Sequence, residues 1–114
     1  MRIRVIAAMA ALATAPAMAD SVQDTCLNMN KSEQVCQCAV EQLKEQLGDK
    51  DYVLYEGIGA DYTTNLGEGM ARSDAWDAAV KKEAANLGVT FITLLKRTNT
   101  MGAAHGKAIK DCSG

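Results

Sequence analysis

The sequence has few of the bulky side chains from which a hydrophobic core is normally built. Among 114 residues there are only one tryptophan, one phenylalanine and three tyrosines. A chain this short also buries a modest fraction of its surface on folding, which leaves the folded state marginally stable. Such a domain needs a further source of stability. In small proteins of oxidising compartments that source is commonly disulfide bonds.

Positive charge is also scarce, and it is not clustered. The chain carries 12 basic and 14 acidic residues, and its longest basic runs are the pairs Lys81-Lys82 and Lys96-Arg97. A mildly acidic chain without a basic patch is a poor candidate for binding the phosphate backbone or an anionic lipid surface. We therefore expect no nucleic-acid partner.

Motifs of catalysis and cofactor binding are missing as well. The chain has no C-x-x-C redox pair and no glycine-rich loop with a phosphate-binding lysine in register. A segment that resembles a calcium loop, starting at Asp61, has Leu66 and Arg72 where glycine and glutamate are required. His105 is the only histidine, and no nucleophile can be paired with it. We expect neither enzyme activity nor a cofactor.

What the sequence does contain begins with an export signal. Arg2 and Arg4 precede an apolar run over residues 5–15, and Ala17-Met18-Ala19 is a small-x-small cleavage site. The run is shorter than the roughly 20 residues that a membrane span needs. The pattern therefore predicts a signal peptide over 1–19 that is cleaved, and a periplasmic or secreted protein.

The mature chain, residues 20–114, is expected to be a single helical domain. It keeps 10 basic and 14 acidic residues, because Arg2 and Arg4 are removed, and its net charge is −4. No second apolar run of spanning length follows, so we expect no stable membrane span after cleavage.

Apolar periodicity predicts two helices at the start of the mature chain. The first is short, with Ser21 as N-cap. Its apolar positions follow the spacing i, i+4, i+7: Val22, Cys26 and Met29. The second has Asn30 or Ser32 as N-cap and ends at Gly48. Its apolar stripe consists of Cys36, Val40, Leu43 and Leu47, flanked by Ala39.

A third helix is expected to start after Asp49 or Asp51 and to fray at Gly57–Gly59, because glycine weakens a helix interior. Residues 65–74 are expected to form a loop. Ser73 then opens a fourth helix, whose apolar residues are Trp76, Ala79, Val80, Ala84 and Leu87.

The fourth helix is expected to end at Gly88. Residues 89–95 are rich enough in β-branched side chains for a strand. No partner strand is visible elsewhere, however, and an isolated strand leaves its backbone groups unpaired. A helix from about Thr90 is the better interpretation. The predicted fold class is all-α, a small disulfide-stapled bundle of four to five helices.

Four cysteines follow the signal peptide: Cys26, Cys36, Cys38 and Cys112. An even number in an exported chain predicts two disulfides. Cys36 and Cys38 are two positions apart on one helix, so they point to nearly opposite sides. Cys36 belongs to the inner stripe and Cys38 faces outward. Within a helix the two cannot bond to each other with normal disulfide geometry.

Two pairings remain open. We favour Cys36–Cys112 with Cys26–Cys38, because the last helix carries an apolar stripe that can pack antiparallel on the stripe of the second helix. The stripe of the last helix, with the same spacing, consists of Met101, His105, Ala108 and Cys112. The alternative is Cys26–Cys36 with Cys38–Cys112.

The cysteines and His105 also form a set of ligands suited to zinc or copper(I). Zinc sites usually use C-x₂₋₄-C spacing, whereas this chain has C-x-C, and an oxidising compartment favours disulfides. A metal site is therefore the less favoured interpretation. His105 itself is expected to be a core histidine that is hydrogen-bonded to a neighbour, because it lies on the apolar stripe.

The cysteine pattern resembles that of a loose group of small exported helical proteins of proteobacteria. Its elements here are Cys26, the C-x-C-x₄-L motif formed by Cys36-Gln37-Cys38 and Leu43, and Cys112. The resemblance implies a helical fold and an exported location, and it implies no activity. In size and class, though in no residue motif, the chain is also similar to the periplasmic acid-stress chaperones.

Together these features indicate a binding or interaction module whose partner is a protein or a small ligand. The first alternative is a chaperone that exposes apolar surface at low pH. The second is a Cys/His metal-binding protein. The tyrosines Tyr52, Tyr55 and Tyr62 are expected at the edge of the core, with an exposed contact surface as the alternative.

Overall fold

A computed structural model describes residues 20–114, and in this range all regular secondary structure is helical. The elements are α1 (Ser21–Leu27), α2 (Glu33–Gly67), α3 (Arg72–Leu87) and α4 (Phe91–Cys112). The predicted all-α class is confirmed. The predicted signal peptide, 1–19, lies outside the described residues. None of the helices in 20–114 combines the length and the apolar character that a bilayer crossing needs.

Helix α1 is capped by Asp20, not by Ser21 as predicted. The Asp20 carboxylate accepts hydrogen bonds from two backbone N–H groups of the first turn, and its negative charge suits the positive end of the helix. Ser21 is the first helical residue, and its buried hydroxyl donates to the Glu56 carbonyl at 2.6 Å. Met29 lies beyond the helix and is largely exposed, so it is not part of the inner face.

Helix α2 is bent at Gly48. The Ser32 side chain caps it, as predicted. Gly48 has φ +81° and ψ 167°, a conformation that is essentially restricted to glycine. The two helices predicted on either side of Gly48 are therefore joined without a loop. The fraying predicted at 57–59 is wrong, since the helix continues through this region and Gly59 is buried against Ser21.

Helix α3 begins at Arg72, just before the predicted start at Ser73, and the loop expected over 65–74 shortens to residues 68–71. Gly88 ends α3 in the left-handed conformation, as predicted. The Thr90 side chain then caps α4, so the β-branched segment that follows is helical.

Helix α2 packs against each of the other three helices, and α3 packs against α4. One buried cluster joins α2 to α1 and α4 around Val22, Val40, Leu43, Tyr52, Tyr55 and Met101. A second joins them around Cys26, Cys36, Ala39, Ala108 and Ile109. A third joins α2, α3 and α4 around Ile58, Ala79, Val80, Ala84 and Leu94. Leu43 lies with Met101 and Cys36 with Ala108, so the two predicted stripes do pack antiparallel.

Candidate functional site

Two disulfides tie the helices together. They join Cys26 to Cys36 and Cys38 to Cys112, with Cα–Cα distances of 5.6 and 6.0 Å. No cysteine in the described range is free. The predicted participation of all four cysteines is thus seen in the structure. The favoured pairing of Cys36 with Cys112 and Cys26 with Cys38 is wrong, and the alternative pairing is the one present.

The reason lies in how α1 and α4 share the surface of α2. Helix α1 packs on the side of α2 that carries Cys36, so Cys26 lies next to it. Helix α4 runs along the neighbouring side, where Ala39 contacts it and Gln42 donates a hydrogen bond to Asp111 at 3.1 Å. Gln42 is one turn after Cys38 and shares its face. The last turn of α4 therefore reaches Cys38.

The two disulfides lie in different surroundings. Cys26 and Cys36 are fully buried, and Ala108 and Ile109 of α4 pack over them. Cys38 is exposed and Cys112 is half-buried. We call the first pair the inner disulfide and the second the outer disulfide. The inner disulfide is therefore shielded from solvent and reagents, whereas the outer disulfide can be reached by them.

His105 is a buried titratable group in the core. It is 3% exposed, and its Nδ1 lies 3.3 Å from the Tyr55 hydroxyl, which confirms the expected core histidine with a hydrogen-bonded neighbour. Nε2 has no hydrogen-bond partner within residues 20–114. Burial lowers the pKa of His105, and the Asp20 carboxylate partly opposes this shift. A proton taken up by His105 therefore places a charge in an apolar environment, which is costly.

Tyr55 connects His105 to the other aromatic side chains. Its ring makes edge contacts with the His105 ring at 5.9 Å and with Trp76 at 6.1 Å between centroids. Trp76 makes a further edge contact with Tyr62 at 5.4 Å. Burial raises the pKa of Tyr55 to about 12, so its hydroxyl stays protonated. Tyr62 is half-buried at the edge of the core, as predicted, whereas Tyr52 and Tyr55 lie deeper and are buried in it.

An open cleft of about 330 Å³ lies where α1 begins beside α2. It is lined by Asp20, Lys44, Asp49, Tyr52, Val53 and Glu56. The Tyr52 hydroxyl donates to Asp20 at 2.9 Å, and the Lys44 ammonium lies 5.1 Å from the centre of the Tyr52 ring. Burial raises the pKa of Glu56, the Asp20 charge adds to this, and Lys44 opposes it. Of the groups that line the cleft, Asp20 and Tyr52 are thus already engaged with each other.

The turn between α3 and α4 carries the clearest exposed apolar surface. Leu87, Val89 and Ile92 are 48%, 43% and 58% exposed although they lie within six residues. We call these three side chains the corner patch. Gly88 closes α3 in the left-handed conformation, and the Val89 N–H donates to a carbonyl of the last α3 turn at 3.1 Å. The backbone that carries the patch is therefore held in place.

Sequence reasoning missed the corner patch because Leu87 continues the apolar stripe of α3. The stripe faces a partner helix as far as Ala84, which is buried. Leu87, further along the stripe, is exposed. The available signal was the pair of apolar residues, Leu87 and Val89, that flank the helix-ending Gly88.

A metal site at the predicted ligands would require free thiols, and all four sulfurs are bound in disulfides. Within the described part of the chain no three His, Cys, Asp or Glu side chains come together in a way that could hold a metal ion. His105 and the cysteines are thus not brought together as a ligand set.

No family model, no curated protein and no solved structure matches this chain.

Proposed function

We propose that the protein is an exported, disulfide-stabilised binding module without enzyme activity, and that it contacts a protein partner through the corner patch. The observation that carries the proposal is the exposure of Leu87, Val89 and Ile92 on one turn. Large apolar side chains that are grouped and exposed are typical of interaction surfaces, whereas single ones are common everywhere. In a chain so poor in large apolar residues, leaving three of them outside the core weakens the core.

The shape of the patch favours a protein over a small ligand. Small-molecule sites are concave and enclose most of their ligand, whereas the patch consists of exposed side chains at the turn between two helices. Its backbone is fixed by a glycine cap and by the Thr90 cap. A fixed surface loses little conformational entropy on binding, and that helps affinity.

Export of the module is supported by the predicted signal peptide and by the disulfides. Both cysteine pairs are oxidised, and disulfides persist mainly in the periplasm or outside the cell. N-terminal sequencing of the protein from the periplasmic fraction tests this directly. The expected first residue is Asp20, and a chain that retains residues 1–19 in the cytoplasm would contradict export.

Site-specific photocrosslinking tests the corner patch. A photoreactive amino acid replaces Ile92 in the exported protein, and the matched control carries it at Thr100, an exposed polar position on the same helix. We expect one adduct of defined mass from position 92 and none from position 100. The Leu87→Ser substitution should abolish the adduct. An adduct of twice the chain mass would identify a second copy as partner, and equal adducts at both positions would reject the patch.

The second candidate function is an acid-responsive chaperone, and the buried His105 favours it. Protonation of His105 at low pH would loosen the packing around Tyr55, while the disulfides would keep the loosened chain from unfolding completely. Binding of a hydrophobic dye and suppression of client aggregation, compared at about pH 4 and pH 7, separate the two functions. A binding module shows neither effect at low pH, whereas a chaperone shows both.

A further inference from the structure

The two disulfides differ in what can reach them. Thiol–disulfide exchange requires a thiolate to approach a sulfur along the S–S bond, so the rate depends strongly on access. The inner disulfide is enclosed by α1, by α2 and by Ala108 and Ile109 of α4. In the outer disulfide Cys38 is an exposed residue and Cys112 is half-buried. Only the outer bond offers an approach in the folded protein.

The position of Cys36 and Cys38 on α2 also insulates one bond from the other. Residues two apart on a helix point to nearly opposite sides, and here each sulfur is held by a different helix, α1 or α4. A thiolate released at Cys38 cannot attack the inner disulfide without unwinding α2. Reshuffling from Cys38, which would scramble the pairing, is therefore blocked while the helix persists. Cys112 packs against the cluster that contains Cys26 and Cys36, and there the complete burial of those two residues is the barrier to attack.

We propose that the outer disulfide is a site of thiol–disulfide exchange with an external dithiol, and that the inner disulfide is a structural bond excluded from exchange. The attacking thiolate bonds to Cys38 Sγ and the Cys38–Cys112 bond breaks. Cys112 leaves as a thiolate and takes up a proton. The second thiol of the dithiol, once deprotonated, then attacks the mixed disulfide and releases Cys38, which is also protonated. The protein gains two electrons and two protons, and the dithiol becomes a disulfide.

Exchange at this site loosens one end of the molecule only. Without the outer bond, the last turn of α4 keeps the hydrogen bond between Asp111 and Gln42 and the packing of Ile109. The two other buried clusters involve neither Cys38 nor Cys112. The reduced form is therefore expected to stay helical, with fraying confined to the C-terminal turn of α4.

Graded reduction of the folded, exported protein tests the proposal. The protein is treated with dithiothreitol for increasing times, quenched with a maleimide, and examined by intact mass and peptide mapping. We expect a species with two labels, on Cys38 and Cys112, to form at least about tenfold faster than the species with four labels, because only this pair is accessible. Circular dichroism should show that the two-label species retains its helices. First labelling at Cys26 and Cys36, or equal rates at both pairs, would overturn the proposal.

Two controls show whether the fold sets the order. In concentrated guanidinium chloride both bonds should be reduced at similar rates, and persistence of the selectivity there would refute the role of burial. The Ile109→Ala variant removes part of the cover over the inner disulfide. It should accelerate labelling of Cys26 and Cys36 more than labelling of Cys38 and Cys112, because Ile109 lies directly over the inner disulfide. An Ile109→Ala protein that folds and shows no acceleration would also count against the proposal.

Discussion

Ser21 and Gly59 are in direct contact, and this contact sets how closely α1 lies on α2. A Cβ added at Gly59 would approach Ser21 Oγ to 2.8 Å and its Cβ to 3.5 Å. Ser21 cannot easily move away, because its hydroxyl is bonded to the Glu56 carbonyl. The glycine at this position is therefore a packing requirement and not a weak point of the helix.

The Gly59→Ala substitution should destabilise the protein by about 1 kcal/mol, because the gain in helix propensity is outweighed by displacement of Ser21 and loss of its hydrogen bond. Gly57 is the matched control, since a Cβ there meets nothing within 4 Å. The Gly57→Ala substitution should stabilise by about 0.5–1 kcal/mol. Both values follow from guanidinium unfolding curves. Equal effects at the two positions would show that the contact is unimportant.

Removal of the outer disulfide by Cys38→Ala with Cys112→Ala should lower the free energy of unfolding by up to about 4.5 kcal/mol in the chain-entropy model. This bond links residues 74 positions apart, whereas the inner bond links residues 10 apart. The shorter loop accounts for only about 3 kcal/mol. Guanidinium unfolding of the double variant measures the loss, and a variant as stable as the parent would contradict the expectation.

The double variant Cys26→Ala with Cys36→Ala provides the comparison. These sulfurs are fully buried, so their removal leaves a cavity in addition to the longer unfolded chain. We expect the measured cost to exceed the loop-entropy value at this pair and not at the outer pair. The difference between the measured cost and the loop-entropy value gives the contribution of packing around α1 to stability.

The buried His105 should make the stability fall at mildly acidic pH. The unfolded chain binds a proton at a pKa of about 6.5, whereas burial lowers the pKa of His105 in the folded protein. Protonation thus favours unfolding, and stability declines as the pH falls below about 6.5 and through the folded-state pKa. The negative charge of Asp20 opposes the lowering of the His105 pKa, and Tyr55 is the hydrogen-bonded neighbour of His105.

The His105→Leu substitution should flatten this decline, and it also removes the unpaired Nε2 from the core. In the control, Tyr55→Phe, the hydroxyl is lost and the histidine still titrates, so the pH dependence should persist on a less stable protein. Urea unfolding at a series of pH values measures the pH dependence of stability for both variants. An unchanged pH profile in His105→Leu would exclude His105 as its source.

Glu56 should contribute with the opposite sign. Burial and the Asp20 carboxylate raise its pKa above the usual value, so the folded protein binds this proton first as the pH falls. Its favourable contribution is complete below about pH 4.5 and is lost as the pH rises through the folded-state pKa. The Glu56→Gln variant should be more stable than the parent at neutral pH, and this advantage should vanish under acidic conditions.

Lys44 supplies the control for Glu56, because its charge lowers the Glu56 pKa. The Lys44→Met substitution should raise that pKa further and reduce stability at neutral pH. In the Glu56→Gln background the same substitution should have a smaller effect. Additive effects of the two changes would show that the groups do not interact.

The positions at which several helices begin and end could be predicted because they depend on local signals. The Ser32 cap, the break at Gly48, the left-handed cap at Gly88 and the Thr90 cap each depend on neighbouring residues alone. The inward direction of Cys36 and the outward direction of Cys38 follow from helical periodicity. The core position of His105 follows from the same periodicity.

Periodicity gives a direction around one helix and does not say which neighbour occupies it. Helices α1 and α4 both pack on the part of α2 that carries the cysteines, and the disulfide pairing depends on which of them lies next to Cys36. The sequence was consistent with α1 or α4 in that place, and packing placed α1 there. For the same reason the sequence predicted helix fraying at Gly59 and a core position for Leu87. In the structure Gly59 packs against Ser21 and Leu87 is exposed to solvent.

The sequence by itself determined the helical class, the cysteines that are oxidised and the faces on which they lie, because these depend on residue type and on spacing along one helix. Only the tertiary structure decided the pairing, the burial of one disulfide beneath Ile109 and the exposure of the corner patch. These depend on how separate helices pack in space, which no local pattern in the chain specifies.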